Sequence, residues 1–599
     1  MDTGVNFTTP DWIVLILYFT LTMGVGFFFY RKTRSIEGFT AANRTVPGWV
    51  AGLSIFATFL SSISYLANPG KSFASNWSPF VFSLSVPLAA WVAVRYFLPY
   101  YRNSGHVSAY TMLEQRFGLW ARIYASAVFY LPTQLARIAV VMYLTALPLQ
   151  MLFGWDIYTV LIVLGVCVTL YSFVGGLTGV IWNDAIQAIV LMGGALLAVG
   201  VMISSIPGGI GELFTVAHEH RKFSLGELGA GVRESGRVWL DLGSGTILVL
   251  LAYGFIINIQ NFGVDQSYIQ RYIASNSDRE AKRGLWLAGL LYVPMSALFF
   301  FIGTALFVQY GADQSTPARA DPAAIVQSQN AEAERVAAGA PVAGDVRGED
   351  LQQVQMLVAR GELVREGVDP DSPTFGSLQA QRADQLDLTD VGDRAFPHFI
   401  ATHMPAGTSG LLIAAVFAAA MSTISTSMNS SATVILSDYY QRLFNREATE
   451  RRSMLVLYSA TIVWGGLGTG LAVVLVEITE SALDIWWTLS GLFGAGITGL
   501  FLLGLISRRA SNPAAVTGVL LGLTTILWMA APKLAEYLTR FSATESLGRS
   551  LEGVLSGWAS PFNALLIPVI GALLILLVGL LVSRRFGRTT VSACGPSEQ

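Results

Sequence analysis

The sequence predicts an all-α polytopic membrane protein with about thirteen transmembrane helices, and three observations carry that prediction. Hydrophobic residues make up 53% of the 599 residues and charged ones only 13%, against roughly 25% charged in soluble domains. The charges gather in short runs between apolar stretches, many of which reach the roughly 20 residues a helix needs to cross a bilayer. Lipid offers no partner to backbone N–H and C=O groups, so such stretches must be helical, and the alternating segments of about ten residues that mark a membrane barrel are not seen.

Taken in order, the spans are predicted at approximately 11–30, 47–68, 79–100, 121–152, 157–174, 177–204, 241–265, 284–309, 407–440, 453–476, 483–506, 512–531 and 562–583. The first has neither a basic flank nor a small-residue cleavage site and is too long for a signal peptide, so it counts as a span. Short basic segments lie at Arg31–Arg34, Arg271–Arg283, Arg442–Arg452, Arg508–Arg509 and Arg584–Arg588. With this set of spans all of them fall on one side, which the positive-inside rule makes the cytoplasm. The expected topology is a multi-pass protein of the plasma (inner) membrane, with its N-terminus outside and its C-terminus cytoplasmic. Two polar connections then lie outside, 205–240 and 311–395. The longer one is rich in Ala, Gln and acidic residues, contains no lysine and reads as helical at Ala331–Ala337 and Gly348–Arg365. It has too few large apolar residues for a core of its own and is expected to be a partly disordered decoration.

Composition also excludes several functions. Cys167 lies in an apolar segment and Cys594 in the polar tail, so neither a disulfide nor a transition-metal site is expected. A net charge of −2 leaves no footprint for nucleic acid, and no phosphate-cradling glycine motif occurs. The 59 glycines suit membrane helices, where small residues let backbones approach.

Polar interruptions of the spans carry the chemistry. Gly48–Lys71 holds glycines, a threonine and several serines and ends in Asn68-Pro69-Gly70. Ala414–Asp438 contains seven hydroxyl residues between Ser422 and Ser431. A single packing stripe needs fewer, whereas a hard cation such as sodium wants hydroxyl and carbonyl oxygens near an unwound helix. Asp184 sits within a span, about 13 Å of helix from Gly175–Gly176 at the cytoplasmic edge. A carboxylate at that depth is expensive and marks a functional site by default; a bound cation would offset the cost. Arg137 lies mid-span in LPTQLARIAVVMYLTALPL. Its partner is either a structural carboxylate or a substrate anion, which a guanidinium receives through two parallel hydrogen bonds.

At these positions the chain resembles the sodium:solute symporter family, which includes sodium/glucose, sodium/proline and sodium/monocarboxylate carriers, with the strongest likeness to bacterial sialic acid symporters. The motifs are TVPGWVAGLSIFATFLSSIS, GGLTGVIWNDAIQ, NIQNFGVDQSYIQRY and AAAMSTISTSMNSSATVILSDYY, and the likeness spans most of 1–510 outside 311–395. It implies a LeuT-like inverted five-helix repeat with sites at the midplane beside broken helices. The extra helix would occupy 1–46, the first repeat 47–204, an external loop 205–240, the second repeat 241–506 and the C-terminal helices and tail 507–599.

By that resemblance, a first sodium site would use the carbonyls of Ala57, Leu60 and Ala419 and the hydroxyls of Ser422 and Thr423. A second, found in part of the family, would use Asp184, Ser422, Ser425 and Thr426. Arg137 matches the arginine that receives the sialic acid carboxylate, and Ser61 and Ser64 keep substrate-facing hydroxyls. Phe59 replaces a threonine and Ser83 a glutamine, so the pocket is more apolar on one side and emptier on the other. Asn258 and Phe262, in the broken seventh span, are expected to gate or touch the solute.

The implied function is sodium-coupled secondary active symport, by alternating access, of a small organic anion (sialic-acid-like or a monocarboxylate) with two sodium ions. A neutral sugar or amino acid as solute, or proton coupling on the same fold, is the alternative. Sodium is a co-transported ligand, and no catalytic cofactor is expected. A transporter-like sensor would need a signalling module, for which the ten or so residues after Arg588 leave no room. A membrane enzyme would need a catalytic His/Asp set at depth; His403 reads as an exposed loop residue.

Overall fold

The computed structural model describes residues 7–29, 33–206, 208–232, 238–311, 344–365, 368–370, 372–476, 482–507, 509–539, 545–555 and 560–586. Apart from one short hairpin, β1 (Ala230–Val232) with β2 (Val238–Leu240), the described elements are helical. Among the described residues, nine helices are long and apolar enough to cross a membrane, and three bent pairs pass the same test when each is taken as one span. Ile157–Leu170 adds a shorter apolar helix. The protein is therefore a polytopic α-helical membrane protein.

Helix α1 (Thr9–Phe29) turns Ile16, Leu17 and Phe28 outward, each at least 60% exposed, as lipid-facing side chains do. The next span is broken. Helix α2 (Gly48–Phe59) stops where Leu60 leaves helical geometry at φ −86°, ψ 80°. The chain resumes as a π turn over Ile63–Ala67 and continues as α3 (Asn68–Ala74), bent by 58° from α2. A span over Ser78–Ser104 follows, then α4 (Leu131–Phe153). Helix α5 (Ile157–Ser205) is two helices joined at Gly176, whose φ of +49° suits only glycine. A Cβ there would also meet Thr33 at 2.9 Å.

The second broken span is α6 (Ile247–Gly263) and α7 (Gln266–Ala274), bent by 47° at Val264–Asp265. Asp265 caps α7 by accepting the Ser267 N–H at 2.8 Å, which fixes where the second helix starts. The predicted seventh span, 241–265, thus ended too early. Arg271 is a fully buried residue of α7, not part of a basic loop; its charge is matched inside the protein, so it carried no topological information.

Helix α8 (Asp278–Gln309) packs along both α2 and α3. Gly52 and Gly284 let α2 and α8 touch, since a Cβ on Gly52 would lie 2.7 Å from the Gly284 carbonyl. Ala331–Ala337 lies outside the described residues, whereas Gly344–Arg365 is a helix. Helix α9 (Leu388–Thr402) opens on a capping box at Asp387 and packs on α3. His403 caps its C-terminus, half-buried and stacked on Phe399 at 5.4 Å between ring centroids. It is therefore a packed residue and not an exposed one.

Helix α10 (Thr408–Val434) is the centre of the bundle, packed on α1, α4 and α5, with 89% of its most apolar window buried. Its hydroxyl run therefore faces protein and not lipid. Helices α11 (Glu450–Leu475), α12 (Ala482–Ile506), α13 (Asn512–Thr539) and α14 (Ile567–Phe586) complete the chain.

Candidate functional site

The end of α2 and the middle of α10 bring oxygen atoms together. Carbonyls in the last turn of a helix have no donor four residues on, and Ala57 lies in the last turn of α2. The Ser422 hydroxyl donates to the Ala57 carbonyl at 3.1 Å and to the Ala419 carbonyl at 3.2 Å. Thr423 donates to the same Ala419 carbonyl at 3.1 Å. Four of the five residues expected in the first cation set are thus in mutual contact across two helices. The fifth, Leu60, is the residue at the break. Hydroxyls that donate to carbonyls still offer lone pairs to a cation.

The second set is differently arranged. The Asp184 carboxylate, on the second half of α5, accepts the Ser54 hydroxyl at 2.6 Å and Arg271 Nη2 at 2.7 Å, all on Oδ2. Its Oδ1 is buried with no hydrogen-bond partner. Arg271 reaches further, to the Thr426 hydroxyl at 2.5 Å through Nη2 and to the Ser54 hydroxyl at 2.7 Å through Nε, and it also donates to the Ser267 carbonyl. Ser425 bonds only the Ser422 carbonyl, at 3.4 Å. Asp184 and Thr426 are therefore joined through a guanidinium. The expectation that a bound cation offsets the buried carboxylate needs correcting: the protein supplies the counter-charge itself. The free Oδ1 still leaves an acceptor suited to a cation.

Beside the first set lies a pocket walled by Phe59, Ser61, Ser64, Ser83 and Arg137, all expected there, together with Thr58, Tyr268, Tyr292, Trp486 and Trp487. Thr423 also lines it, so one residue borders both the pocket and the cation set. Phe59 packs on Tyr292, Phe262 and Tyr268 with centroids 4.4, 5.6 and 5.9 Å away. Ser83 pairs with Ser296 at 2.7 Å.

Asn258 and Phe262, expected to gate or touch the solute, are not among the residues that line the pocket. Asn258 is buried against Ser85 at 3.0 Å, and Phe262 lies behind Phe59. Ile257, Gln260 and Asn261 line it instead. Positions three and four apart share one helix face, and the expected pair sits one residue round from it.

Arg137, on α4, is buried and bonded through Nη2 to Asp265 Oδ2 at 2.9 Å. Of the two partners left open by the sequence, the one present is a structural carboxylate. Asp265 and Arg271 were not singled out in advance, although both stand in the NIQNFGVDQSYIQRY motif. The available signal was that these are the only two charges in the otherwise uncharged stretch 247–274. Among the described residues no group of three or more His, Cys, Asp or Glu could hold a metal; the first oxygen-rich set is made of hydroxyls and carbonyls, and the second adds the Asp184 carboxylate.

The chain matches the family model described as "Sodium:solute symporter family" over residues 39–338 and 384–522. It is 32% identical to the sodium/sialic acid symporter SiaT of Proteus mirabilis, over 87% of this chain and 90% of that protein. It is 30% identical to the sodium/sialic acid symporter NanT of Aliivibrio fischeri, over 88% of each. Identity to the sodium-coupled monocarboxylate transporter 2 of Mus musculus is 25%, over 88% of this chain and 72% of the transporter. Among solved structures, a substrate-bound outward-open Na+-coupled sialic acid symporter superposes with a TM-score of 0.72 at 28% identity, covering 97% of this chain and 99% of that one.

Proposed function

Because the chain belongs to the sodium:solute symporter family, we propose that it is a sodium-coupled secondary active symporter importing a small organic anion by alternating access. Its fold is the LeuT-like inverted repeat, in which two broken helices flank the transport site. The solute is sialic-acid-like or a monocarboxylate, as the names of the relatives suggest. The chain lies in the plasma (inner) membrane with its N-terminus outside and its C-terminus in the cytoplasm. Sodium is cargo, and no catalytic cofactor takes part.

One observation carries this reading: Thr423 borders the solute pocket while its hydroxyl lies 3.1 Å from the Ala419 carbonyl. A cation held by Ala57, Leu60, Ala419, Ser422 and Thr423 would tie α2 to α10 and shape the pocket wall at the same time. Sodium affinity then differs between the states in which these helices are together and apart, and only such a difference can shift the equilibrium. A second sodium would use Asp184, Ser422, Ser425 and Thr426; Asp184 Oδ1, buried without a partner, supports it.

The driving force argues for two ions when the solute is an anion. Each sodium moving through about 100 mV gains roughly 2.3 kcal/mol, and a tenfold gradient adds about 1.4 kcal/mol. Two sodium ions supply on the order of 7 kcal/mol, and the anion's own charge takes back about 2.3. With one sodium, only about 1.4 kcal/mol would remain.

A neutral solute is the second reading, favoured by the ion pair that already matches the charge of Arg137. The deciding experiment is uptake into proteoliposomes of N-acetylneuraminate, lactate, glucose and proline. It is run with inward gradients of sodium, lithium or choline, and with a proton gradient alone. Uptake driven by sodium for a carboxylate supports the first reading. Uptake of only neutral solutes, or driven by protons without sodium, overturns it.

A further inference from the structure

Among the described residues that line the pocket, Arg137 is the one that carries a charge, yet it does not stand ready for a ligand. Its Nη2 donates to Asp265 Oδ2 at 2.9 Å, from α4 across to the bend between α6 and α7. Gln134 steadies both partners, donating to Asp265 Oδ2 at 3.3 Å and accepting from Arg137 Nη1 at 3.5 Å. The guanidinium lies 5.4 Å from the centroid of the Trp486 ring and 5.9 Å from that of Tyr268. Asp265 is 4% exposed and lies behind the arginine, outside the pocket lining.

We propose that Asp265 is the internal counter-ion of Arg137, holding it in the solute-free pocket and yielding it to the carboxylate of an incoming solute. This makes Asp265 a specificity-determining residue, and it deepens the organic-anion reading, on which it rests. Two buried carboxylates compete for one guanidinium, so the solute can take Arg137 only if Asp265 gives it up and keeps its other donors, Gln134 Nε2 at 3.3 Å and the Ser267 N–H at 2.8 Å.

The geometry permits this. Asp265 takes a single N–H of Arg137 through Oδ2, while its Oδ1 caps α7 at the Ser267 N–H, 2.8 Å away. A free carboxylate can take two parallel N–H groups of the same fork. The solute thus gains a bond that Asp265 does not make, and Asp265 can release Oδ2 while its Oδ1 stays on the helix. The exchange also removes a link between α4 and the bend of the second broken span, the kind of joint that moves in alternating access. A small anion with few other contacts cannot meet the cost of displacing Asp265, so the pocket stays closed to inorganic anions.

The test uses the full-length protein in detergent and formate as the probe. Asp265→Asn removes the charge and keeps a capping oxygen. Unfolding temperature is followed while sodium formate is titrated in at constant sodium, ionic strength being held with sodium methanesulfonate. Wild type should respond weakly. Asp265→Asn should gain a saturable stabilisation with an apparent formate affinity at least tenfold tighter, and Arg137→Gln added to it should abolish that gain. An Asp265→Asn titration identical to wild type, or a gain that survives in the double variant, overturns the proposal. If Asp265→Asn does not fold, Asp265→Ser takes its place, since serine also caps. Failure of both to fold means the carboxylate is a structural requirement, and the proposal falls. Absence of sodium-driven carboxylate uptake by wild type would sink the symporter reading while leaving the formate result to be judged by itself.

Discussion

Arg271 Nη2 lies 2.7 Å from Asp184 Oδ2 with both side chains fully buried. The pair joins α7 to the second half of α5, and Ser54 of α2 bonds both partners. A cation arriving at Asp184 therefore meets a carboxylate that already has a counter-charge on one oxygen and a bare second oxygen.

Replacing Asp184 tests two things at once. Removing one partner of a buried pair costs about 3–5 kcal/mol, so Asp184→Ala should lower the unfolding temperature sharply. Asp184→Asn keeps an acceptor for Ser54 and Arg271, and in it the Hill coefficient for sodium-driven uptake should fall toward one. Unchanged sodium cooperativity in Asp184→Asn would remove the two-ion claim.

Thr423→Ala deletes a hydroxyl from the first cation set and leaves its neighbours in place. The sodium concentration for half-maximal uptake should rise about tenfold, the effect of roughly 1.4 kcal/mol, and Thr423→Ser should restore it. If the alanine variant needs no more sodium than wild type, Thr423 is a packing residue.

Arg137→Ala should abolish uptake of a carboxylated solute, and Arg137→Lys should recover little, because an ammonium cannot donate two parallel hydrogen bonds. Radiolabelled uptake settles the matter. Persistent anion uptake by the alanine variant would make Arg137 purely the partner of Asp265.

Gly303 marks where α8 meets α3, the second helix of the first broken span: a Cβ there would lie 2.1 Å from the Pro69 carbonyl oxygen. Gly303→Ala should cost about 1–3 kcal/mol through overpacking, read as a lower unfolding temperature. Gly24→Ala serves as the control, since nothing lies within 4 Å of its added carbon. Equal unfolding temperatures for the two variants would contradict the close approach.

Outside the spans, Lys222 folds its side chain inward, donating to the Phe73 carbonyl at 2.8 Å beside the Phe307 ring. Burial lowers its pKa to about 7, whereas the undocked side chain would titrate near its ordinary value of about 10.4. Between these values the undocked form holds more protons, so docking strengthens as pH rises through that window and is weakest below it. Cleavage after Arg221 by an arginine-specific protease should slow from pH 7 to pH 9 relative to Lys222→Met. A ratio that stays flat with pH would exclude this coupling.

Read alone, the amino-acid order settles the all-α membrane class, because a bilayer demands long apolar helices and a residue's hydropathy is local. It also marks the first broken span, by its polar interruption, and the hydroxyl run of α10, since both are continuous in the chain. Phe59, Ser61, Ser64, Ser83 and Arg137, which the family resemblance alone put at the substrate, do line one pocket. The partners of the buried charges were not legible in the sequence. Arg137 finds Asp265 across 128 positions and Arg271 finds Asp184 across 87. Coulombic pairing depends on distance in space, and no local pattern encodes that distance. The face of α6 that lines the pocket was likewise decided by packing, because a helix one residue out of phase turns Asn258 and Phe262 away and brings Ile257, Gln260 and Asn261 in.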